Sequence, residues 1–386
     1  MPEKPSISHL NFLDSIRGFA ALFVIASHYV LSYGLPCKDA LCDMILTESA
    51  LHFWWDGYAA VSMFFVLSGF VLTIKFFKDN STVTINNFNL SEYWIARFFR
   101  IWPAYSIVLC LSWWLKSTMP LAYDIRLLPQ QEWIFRFWQE LLTPLTIIKE
   151  VLLIFPSQEL TLLPHAWTLS IELLVSFVVP VGVLLVNRSV SWLIALTLFV
   201  IIFMGASPFI LHFMLGILIA KWHKKITRVL DAHSLWKLYT FVSGIFLYVG
   251  RFSWILFINK IFNIEMNDNL IWAFTGLGST LIIISVLVST RLKSFLSKPL
   301  FVALGKISYS FYLLHFCVLM CVTPWVLSSM NLVEPLALKW FLGLSITIAV
   351  TIFFSFFMYK CIEIPGIYLG KYLAKQIVLK NSFNDK

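Results

Sequence analysis

The chain has 386 residues, of which 59% are apolar and only 13% charged, where a soluble domain carries about 25% charged residues. That balance excludes an ordinary soluble enzyme or binding module. The long unbroken apolar runs exclude an outer-membrane barrel, whose strands alternate over roughly ten residues. The net charge of +9 is the loop charge of a membrane protein, not a nucleic-acid-binding surface.

Spans of about 17–25 residues predict an all-α, polytopic transmembrane bundle of about ten helices at 12–34, 57–77, 95–115, 167–187, 190–204, 206–221, 237–258, 270–289, 306–328 and 338–360. No repeat of 20–50 residues and no low-complexity tract interrupts them. The first span has no small-residue cleavage site and is expected to stay in the mature protein. It carries Arg17 and His28, eleven residues apart. At about 100° per residue they return to within roughly 20° of one face, about 16 Å apart along the axis. A charge inside a bilayer costs on the order of 2.5–3.5 kcal/mol, so the two point to a polar pocket in the membrane. Taken singly, Arg17 also reads as a snorkelling residue paired with Asp14, and His28 as a packing hydrogen bond.

In the outer loop, Cys37 and Cys42 are a possible disulfide in an oxidising space. Cys110, Cys317, Cys321 and Cys361 read as apolar filler. The small residues in Phe64-Phe65-Val66-Leu67-Ser68-Gly69-Phe70 suit close helix packing. Where the third span leaves the cytosol, Arg97 and Arg100 share a helical face with Lys75 and Lys78 across the loop. Guanidinium forks suit phosphate oxygens, and ordinary positive-inside anchoring explains the same spacing. The segment 116–166 carries nothing diagnostic. Within it, 141–155 is apolar but short, with Pro144, Lys149 and Glu150, and reads as interfacial or re-entrant.

The fourth span begins at His165-Ala166-Trp167-Thr168, and its Glu172 is the only carboxylate well inside a predicted span. A salt bridge to Arg17 is the structural alternative, awkward because the two lie near opposite membrane faces. The stretch 190–221 is too long for one span and splits at Gly205-Ala206-Ser207-Pro208. On the ninth span, Ser308, Tyr312 and His315 at i, i+4 and i+7 form a polar stripe, which interhelical hydrogen bonding explains as readily as catalysis. With the N-terminus inside, twenty Lys and Arg fall on the cytosolic side and eight outside. Both termini are therefore read as cytosolic. One membrane domain is expected over 1–386, with a core of 10–365 and a short cytosolic tail at 366–386.

These pieces together resemble the acyltransferase-3 family of integral-membrane O-acyltransferases. The opening Leu13-Asp14-Ser15-Ile16-Arg17-Gly18-Phe19-Ala20-Ala21 with His28, the Phe-Phe-Val-Leu-Ser-Gly-Phe run, Arg97 and Arg100, Trp167-Thr168-Leu169 with Glu172, Gly305 through His315, and Glu363-Ile364-Pro365 occur in the family's order. Ser15 stands where glycine is usual and Thr168 where serine is usual. Some relatives carry a further soluble domain, whose hand-off would here fall to a separate protein.

The resemblance implies transfer of an acyl group, acetyl above all, from cytosolic acetyl-CoA to a hydroxyl of an extracytoplasmic glycan or lipid-linked glycan such as O-antigen or exopolysaccharide, in a bacterial inner membrane. Its implied catalytic residues are His28, Arg17 and Glu172. Arg97, Arg100 and Lys75 would hold the CoA phosphates, and Trp167, Thr168, His165, Tyr312 and His315 would line the acceptor site. Direct transfer and an acetyl-histidine intermediate both remain open, and no metal or nucleic acid is expected. A transporter or flippase of a lipid-linked glycan or organic anion is the rival reading, although no pairing of related halves is visible.

Overall fold

The computed structural model describes residues 11–37, 39–77, 89–118, 133–134, 137–138, 142–153, 162–330 and 335–384. Among them there are sixteen α-helices and no strand. In chain order these are α1 (Asn11–Tyr33), α2 (Ala40–Thr47), α3 (Gly57–Thr73), α4 (Leu90–Thr118), α5 (Pro144–Leu152) and α6 (Trp167–Arg188). There follow α7 (Val190–Phe203), α8 (Phe209–Asp231), α9 (Ser234–Tyr248), α10 (Trp254–Phe262) and α11 (Asp268–Val288). The last are α12 (Thr290–Leu296), α13 (Pro299–Lys306), α14 (Ser308–Ser329), α15 (Leu336–Met358) and α16 (Ile364–Asn384).

Every predicted span has a helix. Among the described residues, seven helical stretches are long and apolar enough to cross a bilayer, and α9 with α10 make an eighth if a bent pair counts as one span. The others fall short for stated reasons. Helix α7 has fourteen residues, about 21 Å against a hydrocarbon core of about 30 Å. Helix α8 runs beyond the predicted end at 221, because Lys221, Lys224, Lys225 and Arg228 stop an apolar run yet are good helix formers. Large apolar side chains such as Trp192, Phe203, Phe246 and Phe353 lie exposed along the helices, as lipid solvent requires.

The expected single span 237–258 is broken by 57° between α9 and α10. The Trp254 indole folds back over the break, stacks on Phe246 with centroids 5.2 Å apart, and donates to the Phe246 carbonyl at 2.9 Å. A Cβ on residue 250 would lie 2.8 Å from that indole nitrogen, so glycine at Gly250 makes the fold-back possible. The segment expected as a short cytosolic tail is helical, as α16. It continues α15 through a π-helical turn at Tyr359–Glu363 and lies along α4, with Gly366 and Gly370 against Phe99. The apolar 141–155 stretch yields α5, too short to span, capped by Thr143 and with Leu145, Ile148 and Leu152 exposed.

The chain divides into two compact units. The first holds 1–24, 45–81 and 188–309, and the second 25–44, 82–187 and 310–386. In the first, α3 and α8 meet at the small patch read from the sequence. A Cβ on Gly69 would lie 2.3 Å from the Phe213 carbonyl oxygen, and one on Gly216 would lie 2.2 Å from that of Val66. Ser15 is fully buried here and its hydroxyl donates to the Leu296 carbonyl at 2.5 Å, which gives the serine a structural role. The second unit is tied by polar contacts between apolar helices. Tyr33 donates to the Leu319 carbonyl at 2.6 Å, the Trp340 indole to the Gly34 carbonyl at 2.8 Å, and Tyr93 to the Ser176 carbonyl at 2.8 Å. Cys37 and Cys42 are joined by a disulfide.

Candidate functional site

Three elements of the second unit each bring one histidine to a common place. Helix α1 supplies His28, the 3₁₀ turn Pro164–Ala166 supplies His165, and α14 supplies His315. His28 Nδ1 lies 2.7 Å from His315 Nε2, and His315 Nδ1 lies 2.5 Å from the main-chain carbonyl of Tyr312. The His165 ring packs 4.6 Å from that of His315 and 6.5 Å from that of His28, centroid to centroid. Among the described residues, both His165 nitrogens are buried without a hydrogen-bond partner.

The polar stripe on α14 is engaged around these rings. The Tyr312 hydroxyl meets Thr168 Oγ1 at 2.7 Å and donates to the His165 carbonyl at 3.0 Å. Thr168 itself donates to the same carbonyl at 3.1 Å, so the hydroxyl that threonine shares with serine is in use. His165 and His315 are buried while His28 keeps partial exposure. The three imidazoles do not converge as metal ligands, since both nitrogens of His315 are taken by Tyr312 and His28. Trp133 stacks on the His28 ring, with centroids 4.8 Å apart and the planes inclined by 24°. Its neighbours Phe137 and Trp138 meet the buried Phe316, as does the edge of Trp133.

The remaining expected site residues divide between the two units. Glu172 lies one turn beyond Thr168 on α6, and its carboxylate pairs with Arg97 of α4 at 3.0 Å. The Arg97 side chain is 9% exposed and that of Glu172 26%. Glu172 is thus paired with Arg97, and His28 Nδ1 meets His315 Nε2. Arg100 is half-buried on the same helix, and Trp167 is half-exposed at the start of α6. Arg17 belongs to the first unit, where the Asp14 carboxylate lies 4.0 Å away. Lys75, also in the first unit, is exposed beside the Phe76 ring. Lys78 lies outside the described residues.

Two features were not legible in the sequence. Trp133 sits in a stretch without periodicity or motif, and its only signal is aromatic density. The His28–His315 contact joins residues 287 positions apart, and nothing local encodes it.

A family model described as an acyltransferase domain matches residues 10–360. Over 92% of its length the chain is 27% identical to a Staphylococcus aureus (strain COL) protein named as a candidate O-acetyltransferase, covering 56% of that protein. It is 32% identical over 108 residues to the acyltransferase MdmB of Streptomyces mycarofaciens, which is 28% of this chain and 24% of that one. A Rhizobium radiobacter protein named as protein 2 in the picA locus is 36% identical over 100 residues, covering 26% of this chain and 41% of that protein. The matches thus span from a quarter to about half the length of these relatives. No solved structure matches.

Proposed function

This chain belongs to the acyltransferase-3 family, and from that premise we propose that it transfers an acetyl group from cytosolic acetyl-CoA to a hydroxyl of a glycan presented on the far side of a bacterial cell membrane. The observation that carries the reading is His28. Its ring is held by His315 on one side and Trp133 on one face, yet it keeps partial exposure and its Nε2 makes no protein hydrogen bond among the described residues. An imidazole so placed serves as general base, worth about 10²–10⁴-fold.

In this reading Nε2 takes the proton of the acceptor hydroxyl as its oxygen attacks the thioester carbonyl. The carbon–sulfur bond then breaks, and the CoA sulfur leaves with the proton that Nε2 had held. The acceptor gains the acetyl group, CoA leaves as a thiol, and His28 ends as it began. The names of the Staphylococcus and Streptomyces relatives support acyl, and in the first case O-acetyl, transfer, and all three relatives named are bacterial. Because Arg97 is nearly enclosed and paired with Glu172, the phosphate-binding role expected of the arginine pair falls to Arg100. His165, Thr168 and Tyr312 shape the wall around the base, and Trp167 precedes Thr168 at the start of α6.

The test is membranes from cells expressing the chain, supplied with radiolabelled acetyl-CoA. Label should enter extracellular glycan with the parent and not with His28→Ala expressed at equal level. Full activity of His28→Ala would remove the histidine from the mechanism. Glycan crossing the membrane unlabelled would replace the transferase with a transporter.

A further inference from the structure

We propose that His315 is a positioning residue that dictates which nitrogen of His28 carries a proton, the two rings forming a relay anchored on a main-chain carbonyl; this presupposes His28 as the base. The chain of hydrogen bonds has only one polarity when both rings are neutral. A peptide carbonyl can only accept, so the 2.5 Å contact with Tyr312 requires the proton of His315 on Nδ1. A neutral His315 then has a bare lone pair on Nε2. That nitrogen faces His28 Nδ1 at 2.7 Å, so His28 must donate from Nδ1. A neutral His28 with its proton on Nδ1 has none on Nε2, the nitrogen that makes no protein hydrogen bond among the described residues.

The base is thus supplied in the reactive tautomer without a carboxylate. A histidine lacking a fixed partner divides itself between tautomers, and supplying the wrong one in a related catalytic arrangement costs about 10⁴ in rate. The rings have little freedom to rearrange. His315 is fully buried, Tyr312 is held by Thr168 and the His165 carbonyl, and Trp133 lies over His28. When Nε2 takes the acceptor's proton, the new charge is drawn along the same line. The Nδ1–H of His28 points at the His315 lone pair, and His315 in turn points its own N–H at a carbonyl dipole. Among the described residues, the other titratable groups facing the pair are His165 and Tyr312, with ring centroids 4.6 and 5.7 Å from that of His315.

The test compares replacements for His315 that offer His28 Nδ1 no partner, an acceptor or a donor, in full-length protein checked for a monodisperse detergent-solubilised state. His315→Leu should lower kcat by about 10²–10⁴-fold with the KM for acetyl-CoA unchanged. His315→Glu, an acceptor, should recover at least part of that loss, and His315→Lys, a donor, should recover none. A role confined to packing would not rank the variants by acceptor and donor character. Selective ¹⁵N labelling of histidine in the parent gives a reading that needs no variant to fold. His28 should show a protonated Nδ1 and an unprotonated Nε2, and the reverse assignment overturns the relay. So does a folded His315→Leu that keeps parental kcat while His28→Ala is dead, a result that leaves the base itself standing. If His28→Ala is active, it is the general-base reading that fails.

Discussion

Removing one partner of the Arg97–Glu172 pair should be far more damaging than removing both. The charges meet at 3.0 Å, with Arg97 9% and Glu172 26% exposed. Among the described residues Arg97 Nε is already buried without a hydrogen bond, so Glu172→Leu would leave an enclosed guanidinium with its main counter-charge gone. Stranding a buried charge costs about 3–5 kcal/mol. Solvent reaching the glutamate argues for the lower end, about 3 kcal/mol. On the scaling of soluble domains this is a drop on the order of 5–10 °C in melting temperature. Replacing both by apolar residues of similar volume, Arg97→Met with Glu172→Leu, should return stability to within about 1 kcal/mol of the parent. The assay is thermal unfolding of the four purified proteins in one detergent, followed by the KM for the proposed donor, acetyl-CoA. A double variant as unstable as the two single losses added together would refute the coupling. A double variant that folds but has a raised KM for acetyl-CoA would make Arg97 a phosphate ligand and refute its assignment to Glu172.

Two further outcomes follow from the first unit. Gly216→Ala would press a Cβ to 2.2 Å from the Val66 carbonyl oxygen and 2.6 Å from the Phe70 nitrogen, both backbone atoms of α3. Helices must separate to admit it, so a loss of about 1–3 kcal/mol or more is expected, and a parental melting temperature would deny the close crossing. At the entrance to α3, burial lowers the His52 pKa from 6.5 to about 4, with Arg251 adding to the effect, and raises that of Asp56 from 3.8 to about 6, against the pull of the Ala59 N–H and Arg251. Between those values folded His52 holds fewer protons than the unfolded chain, so its contribution to stability rises with pH. Folded Asp56 holds more, so its contribution falls. The slopes oppose each other in the parent. His52→Asn should therefore leave stability falling from about pH 4 to 6, and Asp56→Asn should leave it rising from about pH 4 to 6.5. Melting curves across that window with the same slope in both variants would deny the assignment.

Much of the secondary structure was legible because its causes are local. Apolar length located each predicted span, and Trp167–Arg188 and Asp268–Val288 lie within about two residues of their expected ends. The cap at Asp56, whose Oδ1 accepts from the Ala59 N–H at 2.9 Å, marks the start of α3 where the apolar run begins. The misreadings share a cause. Hydropathy measures what can face lipid, so it closed α8 at Lys221 and was silent on the helicity of α16. The backbone continued as helix in both because lysine-rich helices need only a packing surface, which α4 gives α16. The break at Gly250 was hidden because its cause, a tryptophan four residues later folding backward, is not an apolar-pattern feature.

For the site, sequence alone supplied the residue types and the helix faces: a histidine on the opening helix, a Tyr312–His315 stripe, a carboxylate on α6 and arginines on α4. Period and spacing decide which side chains share a face, because the α-helix turns by a constant angle. They do not decide which face lies opposite, because that depends on how all the helices fill space together. Only the tertiary structure therefore set Glu172 on Arg97, laid Trp133 over His28, and brought His315 Nε2 to 2.7 Å from His28 Nδ1.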